Sequence, residues 1–171
     1  MPSEQEIRAR EYWRQYEWAI PLAEAEEKTS PTRDVDYKQY LPEDPTHPRA
    51  WIPPYVRYAK RKAVEFTCPI TGWHENDYYQ DYQGKGPVRQ VGRLTMDHHI
   101  PGAIGGLTTD ENIRAICMLA NTKKGSTAIT DEELRDRILR SYHKLNLHED
   151  VLHAFEVLKL HNIPYYRIGD R

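Results

Sequence analysis

Apolar residues recur three and four positions apart between residues 3 and 27, a spacing that predicts an amphipathic helix. Pro21 falls inside this pattern and is expected to kink or divide the helix, because proline lacks a backbone N–H donor. Between 29 and 54 six prolines interrupt any regular period. This stretch is therefore expected to be extended and to wrap the domain, with Trp51 and Tyr55 holding it in place. A second helix is predicted over 55–64.

The centre of the chain alternates loosely between apolar and polar residues over 90–96, which predicts a strand. A glycine-rich loop follows, and residues 112–118 form a second predicted strand. A short helix over 119–124 comes next, closed by Gly125. Thr130 and the three acidic residues after it predict the start of another helix, and a last helix is predicted over 148–160.

The composition is that of a folded protein, since 39% of the 171 residues are hydrophobic and 11% are aromatic. The chain lacks a run of about 18 apolar residues that could cross a bilayer, and its first residues lack the apolar stretch of a signal peptide. We therefore expect no membrane partner and a cytoplasmic location. Two cysteines, Cys68 and Cys117, exclude a disulfide scaffold.

The net charge of −2 does not by itself indicate a nucleic-acid-binding protein. Its distribution is uneven, however, because residues 57–125 carry 10 basic and 7 acidic side chains. The predicted helix over 55–64 contains four of these basic residues. They form either a solvated helix face or a phosphate contact, and the sequence leaves both interpretations open. The predicted nucleic-acid contacts of the whole chain are Arg57, Lys60, Arg61, Lys62, Arg93, Lys123 and Lys124.

Four polar residues around the two central strands have the chemistry of a metal-dependent hydrolase. Asp97 and Asn121 offer a carboxylate and an amide oxygen, which are ligands that Mg²⁺ accepts. His98 can act as a general base on water if another group fixes its ring, and the side-chain carbonyl of Asn112 is suited to that task. His99 is the alternative base, because a slip of one residue would exchange the two histidines.

In order along the chain these residues resemble the HNH endonuclease family. The matching elements are Asp97-His98-His99-Ile100-Pro101, then Gly105-Gly106, then Glu111-Asn112, and finally Cys117 to Gly125 with Asn121 and Lys124 inside it. The resemblance implies an α+β fold with a ββα-metal core, here with helices flanking it at both termini. It also implies metal-dependent hydrolysis of phosphodiester bonds.

The resemblance assigns a role to each of the four polar residues. Asp97 and Asn121 would hold one divalent ion, Mg²⁺ in the first place and Mn²⁺ as the alternative. His98 would activate the attacking water, and Asn112 would orient His98. The spacing of the family motif, Asp-His-x-x-Pro, favours His98 over His99 as the base.

Many members of the family also hold a structural zinc with two Cys-x-x-Cys pairs. In this chain Thr71 and Ala120 stand where the second cysteine of each pair would be, so a site of four thiolates is excluded. Cys68 and Cys117 are still expected to lie near each other, and His74 is the nearest candidate for a further ligand. A structural zinc is not expected.

The resulting hypothesis is a metal-dependent DNA endonuclease that nicks one strand or cuts both. The resemblance implies a phage or homing type, acting in the cytoplasm of a bacterial cell or a phage-infected host. Its predicted parts are an N-terminal helical and proline-rich wrapping segment over 1–56, a nuclease core over 57–126 and C-terminal helices over 127–171. RNA as substrate and a homodimer as the working form both stay open. Two alternatives are a nucleic-acid-binding module that does not cleave and a nuclease subunit of a larger phage or defence complex.

Overall fold

A computed structural model of the protein describes residues 1–29, 41–76, 78–79, 89–90 and 93–142. Within these residues the chain is α+β, as predicted, with five α-helices and two small two-stranded sheets. The helices are α1 (Glu4–Tyr12), α2 (Ile20–Thr29), α3 (Pro54–Ala63), α4 (Met118–Lys124) and α5 (Asp131–Tyr142), and the strands are β1 (Tyr78–Tyr79), β2 (Arg89–Gln90), β3 (Leu94–His98) and β4 (Ile113–Cys117).

The N-terminal helical segment begins where its sequence predicts and divides earlier than expected. Ser3 caps α1 through a capping box, in which its side chain accepts from the Glu6 N–H while the Glu6 carboxylate accepts from the Ser3 N–H. The helix then ends, and a 3₁₀ helix runs over Arg14–Ala19 before α2 begins. A second division falls at Pro21, as predicted, because the 3₁₀ helix ends at Ala19 and α2 begins at Ile20. Pro21 is the second residue of α2, where a proline costs no helical hydrogen bond.

The central strands and helix follow the predicted order of strand, loop, strand and helix. β3 and β4 are antiparallel, because the His99 N–H donates to the Asn112 carbonyl (2.8 Å) at one end and the Met118 N–H to the Arg93 carbonyl (2.7 Å) at the other. The first strand begins at Leu94, four residues later than predicted. Instead, Arg89 and Gln90 pair with the short strand β1. The second strand and α4 lie within a residue of their predicted bounds.

The chain divides into two compact units, and the boundary passes inside both β3 and β4. The first unit comprises Met1–Ala63 and Met96–Arg114. Its core surrounds Trp13, which has no exposed surface. The Trp13 and Tyr12 rings pack edge to face, with 4.7 Å between their centroids. The buried members of this core are Trp13, Ile52, Val56 and Ile113, with Tyr12, Tyr16, Tyr55 and Met96 packed against them.

The second unit comprises Val64–Thr95 and Ala115–Arg171. In its described part α4 contacts α5, whose Leu134 and Ile138 are fully buried. The start of α5 is confirmed, because Thr130 and Glu133 form a capping box. Arg135 of α5 donates to the backbone carbonyl of Ile70 at 2.8 Å and so ties the helix to the turn that follows Cys68.

Two predicted elements fall wholly or partly outside the described residues. The helix over 148–160 lies outside them, and so do residues 30–40 of the proline-rich stretch. Residues 41–53 contain turns and no helix or strand. The division into segments 1–56, 57–126 and 127–171 stays a prediction. In the described part of the chain, no helix has both the length and the apolar character that a membrane span requires.

Candidate functional site

Asp97 and His98 lie at the end of β3, in the first unit. The Asp97 side chain is buried, with 3% of its surface exposed, and Arg114 on β4 donates to its Oδ2 through Nε at 3.0 Å. A buried carboxylate requires a cation or hydrogen-bond donors, because burial removes the water that would solvate its charge. The residue that precedes the candidate base in the sequence is therefore a buried carboxylate held by an arginine.

The ring of His98 is held by a residue that the sequence did not single out. Its Nε2 lies 2.9 Å from the hydroxyl oxygen of Thr108, and Thr108 is fully buried. The Thr108 N–H in turn donates to the carbonyl of Thr46 at 2.8 Å. Nothing in the sequence distinguishes Thr108 from its neighbour Thr109, because only the folded loop brings one of the two hydroxyls to the histidine.

Asn112 fastens together the two ends of the loop between β3 and β4. Its side-chain oxygen accepts from the Ile100 N–H at 2.7 Å, and its Nδ2 donates to the carbonyls of Ile100 (3.0 Å) and Leu107 (2.8 Å). Thr108 follows Leu107 directly, so these bonds hold the residue that contacts His98. The described contacts thus give Asn112 a positioning role through the loop. Its direct orientation of the His98 ring stays a prediction.

Two backbone segments of this loop approach each other closely at Gly106. The Gly106 N–H donates to the Pro101 carbonyl at 3.0 Å, and a Cβ on Gly106 would lie 1.7 Å from the carbonyl oxygen of Ile100. Only glycine permits two backbone segments to approach this closely. Gly106, the second glycine of the pair in the family pattern, is therefore required by the close approach of the backbone at this point.

Asp97, His98 and Asn112 lie in the first unit, whereas Asn121 belongs to the second. Asn121 lies on α4, and its backbone carbonyl accepts from the Gly125 N–H where the helix ends. Its assignment as a metal ligand stays a prediction. The donors themselves suit Mg²⁺, since a carboxylate and an amide oxygen are both hard ligands. Among the described residues, no group of three His, Cys, Asp or Glu side chains is arranged to hold a metal ion.

Most of the basic residues predicted to contact nucleic acid make intramolecular contacts. On α3, Lys60 pairs with Asp110 at 2.6 Å, Arg61 pairs with Glu26, and the Lys62 ammonium lies 5.3 Å from the Trp18 ring centroid. The Arg57 side chain is exposed, and its Nε donates to the Ile52 carbonyl. Of the other three predicted contacts, Arg93 is exposed, Lys123 is partly exposed and Lys124 is buried. Their contact with nucleic acid stays a prediction.

The four positions that hold zinc in related patterns come together in the second unit. Cys68 and Cys117 are both buried, and the Cys117 N–H donates to the Cys68 sulfur at 3.2 Å, which confirms that the two cysteines are neighbours. The Thr71 hydroxyl lies 3.6 Å from the Cys117 sulfur, and the Ala120 N–H donates to that sulfur at 3.5 Å. A hydroxyl and a backbone N–H thus contact the sulfur where two further thiolates would stand.

The contact between the two cysteines shifts the pKa values of their thiols in opposite directions. The hydrogen bond from Cys117, helped by Thr71 and by backbone donors and opposed by burial, lowers the pKa of Cys68 to about 6. The same hydrogen bond, with burial and the charge on Cys68, raises the pKa of Cys117 far above its usual value. Hydrogen bonds inside the protein therefore stabilise the thiolate form of Cys68, as a metal ion would in a zinc site.

His74, the candidate for a further zinc ligand, accepts a hydrogen bond from the Asn76 N–H through Nδ1 (3.1 Å).

Comparisons with known proteins add no relative to this geometry: no protein-family model, no curated protein and no solved structure matches the chain.

Proposed function

We propose that this protein is a metal-dependent DNA endonuclease of the HNH type, built on a ββα-metal core. The observation that carries the proposal is that a ring-anchored histidine directly follows a buried carboxylate at the end of one strand. His98 is fixed through Thr108, Asp97 is desolvated beside it, and the loop between them and β4 is fastened by Asn112. A residue fixed in this way is suited to general base catalysis.

The anchored ring nitrogen determines which atom takes the proton. In the tautomer in which Nε2 carries the ring hydrogen and donates it to the Thr108 hydroxyl oxygen, Nδ1 is the atom that would accept the proton of the attacking water. The water oxygen forms a bond to phosphorus while the bond from phosphorus to the 3′ oxygen breaks. The products are a 5′-phosphate and a 3′-hydroxyl end.

The ligands proposed for a divalent ion are Asp97 and, by the resemblance, Asn121. The chemistry that such an ion supplies when bound is Lewis-acid stabilisation of negative charge on the phosphate and on the departing oxygen. Arg114 orients the Asp97 carboxylate by donating from Nε to its Oδ2 at 3.0 Å. Mg²⁺ is the proposed ion and Mn²⁺ the alternative.

Cleavage of supercoiled plasmid is the direct test of this function. We expect nicked or linear product with Mg²⁺ or Mn²⁺ and none in EDTA, because removal of the ion takes away its stabilisation of the phosphate charge. Gel analysis over time separates nicking of one strand from cleavage of both, and a parallel incubation with RNA tests that substrate. Cleavage that persists in EDTA would contradict the metal-dependent mechanism. Absence of product on any nucleic acid would favour the non-cleaving binding module.

Thr108→Val tests the anchoring of His98. Valine has nearly the shape of threonine but cannot hydrogen-bond, so the ring loses its orientation while the loop keeps its packing. We expect kcat to fall about tenfold, the equivalent of one lost hydrogen bond, with KM for the plasmid unchanged. Thr109→Val is the matched control, since the Thr109 side chain makes no capping hydrogen bond. Equal rates for the two variants would show that the contact of Thr108 with His98 does not matter for catalysis.

A further inference from the structure

Asp110 is bound by four groups from the N-terminal part of the chain. Lys60 of α3 donates to its Oδ1 at 2.6 Å and to its backbone carbonyl at 2.8 Å. Tyr16 donates its hydroxyl to the same Oδ1, and Gln15 donates to Oδ2 at 3.2 Å. The Asp110 N–H donates to the hydroxyl oxygen of Tyr12 at 3.1 Å. Both the backbone and the carboxylate of this one residue are thus engaged.

These contacts stabilise the ionised carboxylate of Asp110, although its side chain is partly buried. Burial opposes ionisation, but the hydrogen bonds and charge of Lys60, with the bonds from Tyr16 and Gln15, lower the pKa of Asp110 below its usual value. Burial and the neighbouring Asp110 raise the pKa of Tyr16, so its hydroxyl keeps its proton and donates. A depressed carboxyl pKa means that the stabilisation is present at neutral pH and is lost as the pH falls through that pKa.

Asp110 begins the 3₁₀ turn that carries Asn112. The turn spans Asp110–Asn112, and the N–H groups of Asn112 and Ile113 both donate to the Thr109 carbonyl at 3.1 Å. From Asn112 the side-chain bonds reach Leu107 and therefore the neighbouring Thr108, which contacts His98. Hydrogen bonds and two short stretches of backbone, 110–112 and 107–108, thus connect the N-terminal segment to the candidate base, all within the first unit.

We propose that the segment around Tyr16, together with Lys60 of α3, positions the catalytic loop by clamping Asp110. This inference rests on the proposed nuclease function and extends it, because Tyr16 and Lys60 precede the residues that carry the family resemblance. Tyr16, Lys60 and Asp110 are positioning residues, since they act through Asn112 and do not touch the reacting atoms. The N-terminal segment accordingly helps to set the geometry of the proposed site.

The test compares Asp110→Asn and Tyr16→Phe with Glu26→Gln in the full chain. The control removes the carboxylate of a second ion pair between the N-terminal segment and α3, which involves Arg61 and does not reach the Asn112 turn. We expect both test variants to lower kcat for plasmid cleavage about tenfold at unchanged KM, because misplaced catalytic groups lower the rate of the chemical step. Glu26→Gln should cleave at the wild-type rate. Tyr16→Phe keeps the ring in the core and serves if Asp110→Asn fails to fold.

An activity-independent readout separates this inference from the nuclease proposal. The two side-chain amide protons of Asn112, observed by NMR, should shift in Asp110→Asn and Tyr16→Phe and stay in place in Glu26→Gln. If the wild type cleaves and the test variants cleave equally well, the clamp is overturned. If the wild type does not cleave, a shift of the Asn112 signals supports the clamp while the nuclease proposal fails, and unshifted signals overturn the clamp as well.

Discussion

His98→Ala is expected to lower metal-dependent cleavage by about 10³-fold, within the range that general base catalysis contributes. The substitution removes the proton acceptor at the end of β3 and leaves Asp97 and its partner Arg114 in place. Metal binding should therefore be retained. His99→Ala is the matched control, because that side chain is exposed and the His99 backbone N–H, which donates to Asn112, is unaffected.

The measurement is the single-turnover rate of plasmid cleavage in Mg²⁺ for the wild type and both variants, with circular dichroism to verify the fold. Loss of activity in His98→Ala together with near wild-type activity in His99→Ala identifies the base. The reverse pattern would assign the base to His99 and would contradict the role given to the contact between His98 and Thr108. Equal activity in all three proteins would remove histidine catalysis from the mechanism.

Gly106→Ala is expected to destabilise the protein by about 3 kcal/mol or more, at the upper end of what overpacking costs. The added Cβ would lie 1.7 Å from the Ile100 carbonyl oxygen and 2.5 Å from its carbonyl carbon. Both obstacles are backbone atoms, so no side chain can rotate away. The loop must open, and the hydrogen bonds of Asn112 to Ile100 and Leu107 open with it.

Urea unfolding followed by tryptophan fluorescence measures this loss as a lower midpoint. Gly102→Ala is the control in the same loop, because its added Cβ would lie 3.3 Å from the Pro48 Cβ, which a small shift relieves. We expect the midpoint of Gly102→Ala to stay close to that of the wild type. A Gly106→Ala protein as stable as the Gly102→Ala control would show that the backbone at Gly106 does not lie as close to Ile100 as described.

The helices were predictable because their signals are local. A capping box at Ser3 and Glu6, acidic residues after Thr130 and a glycine after Lys124 each act within one turn of helix. The positions of the helix break near Trp13 and of the start of β3 were not predictable in this way. The first depends on burial of the Trp13 ring in a core formed with α3 and β4, and the second on pairing with β4.

In the candidate site, too, some residues are recognised from the sequence and others only from the structure. The sequence alone determined which groups are proposed to carry the chemistry, since Asp97, His98, Asn112 and Asn121 are recognised by side-chain type and order. Only the tertiary structure decided which groups support them: Thr108 at the His98 ring, Arg114 at Asp97, and Lys60 at Asp110. These partners come from residues distant in the sequence or from a folded loop, and a hydrogen bond or an ion pair requires proximity in space, which spacing along the chain does not encode.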